Sequence, residues 1–103
     1  AIVVADSQNH RIRVITYPGG LVTTLAGGGN GLSSIDGAGT AAAFSFPAGI
    51  AVHAFGALLV VADVNGNRIR LVTYPGGVVT TLAGGGSAGL VDAGKVTRID
   101  GMN

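Results

Sequence analysis

The sequence predicts an all-β fold built from repeated antiparallel units, and three observations lead to this prediction. Residues 2–29 return as residues 59–86 with an offset of 57, and 20 of the 28 aligned pairs are identical. Short runs rich in Val, Ile and Thr alternate with turn-forming Asp, Asn, Pro and Gly. The 103 residues include 19 Gly, one Lys and no Glu, a composition that excludes a coiled coil or a helix bundle.

Each copy contains three short runs with strand character. In chain order they are Ile2–Ala5, Arg11–Tyr17 and Leu21–Ala26 in the first copy, and Leu58–Ala62, Arg68–Tyr74 and Val78–Ala83 in the second. A fourth run, Gly49–Val52, precedes only the second copy. Four such strands form one antiparallel unit of 57 residues, which fits a β-propeller blade better than a helical solenoid.

Alternation and turn residues support these strands. In the second run Ile12 and Val14 fall on one face, and Arg13 and Ile15 fall on the other, which is the period of a β-strand. The Tyr-Pro-Gly-Gly sequence that follows in both copies predicts a type II turn with Pro at its second position. The polar residues after the first run suit a tight hairpin.

Charged residues recur at fixed positions in both copies. Asp6 with Arg11, and Asp63 with Arg68, are five residues apart across the predicted hairpins. We expect structural ion pairs there, or carboxylates that cap loop N–H groups, because recurrence in each unit indicates architecture rather than catalysis.

Several segments together resemble an NHL repeat. They are Ala48–Val52, Leu59–Asp63 and Asn67–Arg70, then Val4–Val14 with its Asn9-His10 pair, and the connector Asp36–Phe44 before Pro47. Two departures are Asn65-Gly66, which replaces the usual Gly-Asn order, and His53, which stands where the family usually has Asp.

The resemblance implies a β-propeller, most often six-bladed. Residues 1–47 would supply strands two to four of one blade with a connector, and residues 48–103 one full blade with a second connector, about 1.75 blades in all. Three interpretations of this extent stay open: a segment of a longer array, a subunit that self-associates into a propeller or fibre, or a folded two-blade domain.

Three short motifs are weak matches to ligand sites. Residues 84–89 match G-x-G-x-x-G without a following helix, and Gly89–Lys95 resembles a P-loop that has Val96 in place of Ser or Thr. Asp63, Asn65 and Asn67 alternate as in the first half of a calcium loop, but Arg68 stands where that loop needs Gly. No catalytic, cofactor or metal residue is therefore assigned.

Two alternatives to a non-catalytic function come from the resemblance. Some NHL propellers bind RNA, and Arg11, Arg13, Arg68 and Arg70 form two short basic stripes, although the net charge is only +1. Similar propellers include metal-dependent lyases and lactonases, and His53 at the end of an inner strand would face their central channel. We expect His10 to be a solvent-exposed loop residue.

The sequence thus favours a non-catalytic structural or interaction module that acts in protein–protein assembly. Its partners would be further blades of a longer chain, or further copies. Hydrophobic residues make up 48% and charged residues 11%, which indicates burial within a larger assembly. The same composition weakly favours an extracellular or cell-surface setting. No membrane span is expected, because Gly, Asp, Arg or Pro interrupts every apolar run.

Overall fold

The computed structural model describes residues 1–85, which form eight strands in two antiparallel sheets. The strands are β1 (Ile2–Asp6), β2 (Arg11–Ile15), β3 (Val22–Gly27), β4 (Gly37–Ala38), β5 (Pro47–His53), β6 (Leu58–Asp63), β7 (Arg68–Thr73) and β8 (Val78–Gly84). Three single 3₁₀ turns, Ser7–Asn9, Gly39–Ala41 and Ala54–Gly56, are the only helical elements among these residues. The all-β prediction is confirmed, and no helix of the described part could cross a bilayer.

Each sheet is one propeller blade. Blade 1 has the strand order β1-β2-β3, and blade 2 has the order β4-β8-β7-β6-β5. The predicted runs appear in both sheets, because their β-branched residues suit a pleated, half-buried surface. The connector, which we define as residues 28–46, joins the blades and contributes the short β4 to the outer edge of blade 2. This fifth strand of blade 2, which pairs with β8, was not predicted.

The two blades share a bulge at the same place. The β2–β3 pairing shifts register between Ile12 and Arg13, and the β7–β8 pairing shifts between Ile69 and Arg70. A bulge changes the direction of the side chains around it. In each blade the bulge lies next to the arginine that forms an ion pair, Arg13 or Arg70, as described below.

The Tyr-Pro-Gly-Gly turns differ from the type II prediction, which is wrong. The Tyr17–Pro18 and Tyr74–Pro75 peptide bonds are cis. A type II turn with Pro at its second position requires a positive φ at the first glycine. The positive φ falls on the second glycine, Gly20 or Gly77, rather than on the first. The Gly20 N–H closes the turn on the Thr16 carbonyl oxygen at 2.8 Å.

The core lies between the blades and is capped by the connector. Blade 1 contributes Ile12 and Ala26, and the connector contributes Ala42 and Phe44. Blade 2 contributes the four side chains Leu59, Val61, Val72 and Val79. The equivalent strands β2 and β7 bury opposite faces. Ile12 is buried in β2, whereas in β7 the buried residue is Val72, which aligns with Ile15 on the other face of β2. The blades therefore stack with the same polarity, as in a propeller.

Candidate functional site

A buried ion pair forms the centre of the polar interface between blade 2 and the connector. Arg70 Nη1 lies 2.8 Å from Asp63 Oδ2, and both side chains are fully buried. The second terminal nitrogen of Arg70, Nη2, lies 2.9 Å from Asp36 Oδ1 of the connector. Arg70 thus joins the two carboxylates in one network. Several partners of this kind are what a buried charge requires.

Further contacts of Arg70 tie the connector to blade 2. Its Nη1 also donates to the Ala43 carbonyl oxygen at 3.0 Å. Its guanidinium lies over the Phe44 ring, 5.1 Å from the ring centroid, a distance suited to a cation–π contact. Asp36 accepts a second hydrogen bond from Thr81 Oγ1 at 2.9 Å. One arginine thus joins β6, β7 and the connector.

Both carboxylate oxygens of Asp63 accept hydrogen bonds from the connector. Its Oδ2 accepts from Ser34 Oγ at 2.7 Å, and its Oδ1 accepts from the Ser45 backbone N–H at 2.7 Å. Gly66 makes room for this arrangement, because a Cβ there would lie 2.2 Å from Ser34 Oγ. The absence of a side chain at residue 66 is therefore required by the packing of the connector.

Blade 1 repeats the pair in a more open form. Arg13 Nη1 lies 3.1 Å from Asp6 Oδ2, with side chains that are 26% and 28% exposed. Asn9, which aligns with Gly66, donates from Nδ2 to both carboxylate oxygens of Asp6 at 3.1 and 3.2 Å. The amide of Asn9 therefore takes the part that the Ser34 hydroxyl plays in blade 2.

Structural ion pairs do recur, but the predicted pairs Asp6–Arg11 and Asp63–Arg68 are wrong. The arginines that bind the two aspartates are Arg13 and Arg70. Arg68 lies opposite Asp63 in the strand register, but its Nη1 points to the Ser34 carbonyl oxygen at 3.4 Å. The diagonal residue Arg70 reaches the carboxylate instead, because it lies within the interface where Asp36 and the Ala43 carbonyl are also available.

His10 is buried, so the prediction of a solvent-exposed loop residue is wrong. Its Nδ1 accepts the Phe46 backbone N–H at 3.1 Å, and its ring meets the Phe46 ring edge-on at a centroid distance of 4.5 Å. The connector closes over the ring at Gly31, where a Cβ would lie 2.3 Å from Cε1. His10 thus anchors the connector to blade 1.

His53 lies at the end of β5, an edge strand of blade 2, and is exposed. Within residues 1–85 no group of three His, Asp or Glu side chains is placed to hold a metal ion. In the candidate calcium loop, the carboxylate of Asp63 binds Arg70, Ser34 and the Ser45 N–H. The glycine-rich motif from Gly84 and the P-loop-like segment Gly89–Lys95 extend beyond or lie outside the described residues.

The four arginines do not form one exposed basic face. Arg70 is fully buried, and Arg13 is paired with Asp6. Arg11 and Arg68 are partly buried and donate to backbone carbonyls of Asn9 and Ser34. The stripes that suggested an RNA surface therefore contribute mainly to internal contacts.

The opposite end of the molecule, which we call the turn end, presents apolar side chains. It consists of the two Tyr-Pro-Gly-Gly turns, the β5–β6 turn and the start of β1. Tyr17 is 81% exposed, Leu21 is 63% exposed and Phe55 is fully exposed. Beside them a cleft of about 230 Å³ opens between the blades, lined by residues that include Val3, Val52, Leu59 and Tyr74.

The turn end carries no Asp, Glu, Lys or Arg. Its three turn segments, residues 16–22, 52–58 and 73–79, contain His53 as their one titratable side chain besides the tyrosines. Sequence reasoning missed this surface because it is assembled from three turns that are distant in the chain. The signal available was the shared absence of charge in those turns.

Comparison with known proteins gives sequence relatives and a structural relative. The chain is 39% identical over 71 residues to NHL repeat-containing protein 2 of Bos taurus, and 35% identical over 81 residues to the protein of that name from Homo sapiens. These matches cover 69% and 79% of this chain, and 10% and 11% of the relatives. No family model matches the chain.

The structural relative is a crystal structure of an auxiliary nutrient binding protein from Bacteroides thetaiotaomicron. It superposes with a TM-score of 0.65 at 22% identity, over 87% of this chain and 24% of the other. At this identity the likeness concerns the fold, and it agrees with the propeller blades described above. The sequence relatives show that the chain belongs to the NHL-repeat family.

Proposed function

We propose that this part of the NHL-repeat protein is a non-catalytic interaction module that acts in protein–protein assembly. The observation that carries the proposal is the turn end, where Tyr17, Leu21 and Phe55 are exposed on a surface without charged side chains. Exposed apolar side chains on an uncharged surface typically mark a contact with another protein. Exposed aromatic residues are also enriched at the centres of protein interfaces.

The ion pairs formed by the aspartates support the same proposal. The carboxylates of Asp6, Asp36 and Asp63 all bind arginines, either within one blade or between the connector and blade 2. A general acid, base or nucleophile needs access to a substrate, whereas these carboxylates are engaged in ion pairs, and Asp36 and Asp63 also hold the connector against blade 2. They stiffen a scaffold that presents loops, as expected of a repeat protein.

The setting of this assembly is part of the proposal. The sequence is poor in Lys and Glu and rich in Gly, Val, Thr and Ala, which leads us to propose an extracellular or cell-surface structure. The propeller-enzyme and RNA-binding alternatives have no supporting feature among residues 1–85, and the test below separates them from the proposal.

The test compares two variants of the protein in quantitative affinity enrichment from its native source. The turn-end variant combines Tyr17→Ser, Leu21→Ser and Phe55→Asn, with Asn chosen because residue 55 has a positive φ of 55°. The control combines Leu32→Ser and Val64→Ser, two exposed apolar residues outside the turn end. We expect the turn-end variant to lose defined protein partners by tenfold or more, and the control to retain them.

Two results would overturn the proposal. One is an unchanged set of protein partners in the turn-end variant, provided that circular dichroism shows it folded. The other is a hydrolase or lyase activity that chelators abolish, or RNA binding that weakens steeply with salt, in the purified protein.

A further inference from the structure

Two asparagines of the chain precede a glycine: Asn30 in the connector, and Asn65 in the turn between β6 and β7. An Asn-Gly sequence can cyclise, because glycine has no side chain to hinder the attack of its backbone nitrogen on the preceding amide carbon. Both asparagines are exposed. Since the two sites share this dipeptide and this exposure, a difference in their reactivity has to come from the hydrogen bonds around them.

At Asn65 the attacking nitrogen is engaged in a hydrogen bond. The Gly66 N–H donates to the Asp63 carbonyl oxygen at 3.1 Å, and the Asn65 N–H donates to the Ser45 carbonyl oxygen at 3.0 Å. The Gly66 nitrogen has to lose its proton before it attacks, and its hydrogen bond to a carbonyl opposes that loss. The turn between β6 and β7 therefore protects the Asn65 amide.

At Asn30 the attacking nitrogen is free. The Gly31 N–H has no hydrogen-bond acceptor among residues 1–85, while Asn30 Oδ1 accepts the Leu32 N–H at 3.0 Å. That hydrogen bond closes a ring which contains both the amide carbon of Asn30 and the nitrogen of Gly31. It also places a donor on the oxygen where negative charge develops during the attack. The connector therefore leaves the Asn30 amide reactive.

We propose that Asn30 is a site of spontaneous modification, and that its conversion to isoaspartate loosens the connector from blade 1. The Gly31 nitrogen loses its proton to hydroxide and attacks Asn30 Cγ. A Cγ–N bond forms, the Cγ–Nδ2 bond breaks, and Nδ2 takes a proton from water and leaves as ammonia. Water then opens the succinimide ring. Cleavage between the nitrogen and the backbone carbonyl carbon gives isoaspartate, and cleavage between the nitrogen and Cγ gives aspartate.

The two products differ in their effect on the connector. Isoaspartate routes the main chain through Cβ and Cγ and so lengthens it before Gly31, whereas aspartate leaves its length unchanged. Gly31 is tightly packed, because a Cβ on it would lie within 2.8 Å of three atoms of the His10 ring. Its carbonyl oxygen also accepts a hydrogen bond from Ser45 Oγ at 2.6 Å. A longer main chain should displace Gly31 from both contacts and uncover the ring.

The first part of the test compares the two Asn-Gly sites within one molecule. The full chain is incubated at mildly alkaline pH, once folded and once in urea, and peptide mapping locates the mass gain of about 1 Da that marks each conversion. In the folded chain we expect Asn30 to convert at least about tenfold faster than Asn65, the ratio that one hydrogen bond can produce. In urea the two rates should agree within about twofold, because the turn and the connector are unfolded.

The second part measures the effect on stability. The isoaspartate form, separated by chromatography, should melt at least about 4 °C below the unmodified chain, the shift that roughly 1 kcal/mol produces in a domain of this size. Asn30→Asp is the control for the added charge. It should melt within about 2 °C of the parent, because a carboxylate oxygen still accepts the Leu32 N–H. Asn30→Ser, chosen because Ser87 stands at the aligned position, should neither gain mass at residue 30 nor lose stability on incubation.

Three results would overturn the inference. One is conversion of Asn65 in the folded chain at the same rate as Asn30 or faster, which would remove the role of the hydrogen bonds. Another is an isoaspartate form that melts with the unmodified chain, which would show that Gly31 tolerates the longer main chain. The third is an Asn30→Asp variant that melts as low as the isoaspartate form, which would assign the effect to charge. The inference does not depend on the turn end, since residue 30 lies outside it.

Discussion

Arg70 and Asp63 form an ion pair of 2.8 Å in which both side chains are fully excluded from solvent, and the same pair one repeat earlier, Arg13 and Asp6, is about a quarter exposed. The chemistry of the two pairs is the same, and the difference lies in what covers them. The buried pair is completed by Asp36, Ser34 and the Ser45 N–H of the connector. A substitution in the buried pair can therefore be compared with the equivalent substitution in the exposed pair of the same chain.

The first prediction concerns the cost of breaking each pair. Arg70→Gln should lower the free energy of unfolding by about 3–5 kcal/mol, because it leaves the carboxylate of Asp63 buried without its counter-ion. Arg13→Gln should cost about 1 kcal/mol or less, because water solvates the exposed carboxylate of Asp6. Urea titration of both variants measures the difference. Equal costs would show that burial by the connector does not set the strength of the pair.

Much of the fold follows from local sequence. The period of two in Arg11–Ile15 and the turn residues between runs place the strands within one or two residues of their observed ends. The fold class and the family follow from these patterns and from the repeat. The choice of Arg70 over Arg68 does not, because it depends on Asp36 and Ala43, which reach the arginine only after the connector has docked.

The burial of His10 was missed for a similar reason. The loop position and polar neighbours of this residue indicate exposure, and only the return of Gly31 and Phe46 over its ring buries it. The turn type was missed because either of the two glycines after the proline can take the positive φ. Long-range packing therefore decides the features that local patterns leave open.

A second prediction uses the two equivalent turn glycines. Gly77 and Gly20 have similar positive φ values of 72° and 76°, so alanine is strained to the same degree at both. A Cβ on Gly77 would lie 2.4 Å from the Leu25 carbonyl oxygen of blade 1, whereas one on Gly20 meets nothing within 4 Å. Gly77→Ala should therefore destabilise the chain by about 1–3 kcal/mol more than Gly20→Ala. Thermal unfolding compares the two, and a difference near zero would contradict the packing of this turn on blade 1.

A third prediction concerns His10, which has a positive φ of 56°. His10→Asn should cost about 1–2 kcal/mol: Asn tolerates this conformation, as Asn67 does at the same position in the second repeat with a φ of 55°, but the ring contact with Phe46 is lost. His10→Val should cost about 2–4 kcal/mol, since a β-branched residue is strained there and the Phe46 N–H loses its acceptor. Denaturant titration gives both values, and a valine variant as stable as the asparagine variant would refute this role.

A fourth prediction compares Gly66 with Asn9, its equivalent in blade 1. Gly66→Ala should destabilise the chain by about 1–3 kcal/mol, because the new Cβ would lie 2.2 Å from Ser34 Oγ and 2.7 Å from Asp63 Oδ2. Asn9→Ala should cost about 0.5–1.5 kcal/mol, the contribution of an exposed hydrogen bond to Asp6. Calorimetry of the two variants checks the order. A Gly66→Ala chain more stable than the Asn9→Ala chain would show that the connector does not pack against residue 66.

The central claim is that Arg70 joins the connector to blade 2 by binding Asp36 and Asp63 with separate nitrogens. The measurement that tests it most directly is a double-mutant cycle with Arg70→Lys and Asp36→Asn, followed by urea unfolding. Lysine keeps the charge but lacks the planar fork that reaches two carboxylates. The account predicts that Asp36→Asn costs about 1 kcal/mol with Arg70 and close to zero with the lysine variant. The same cost in both backgrounds would contradict it.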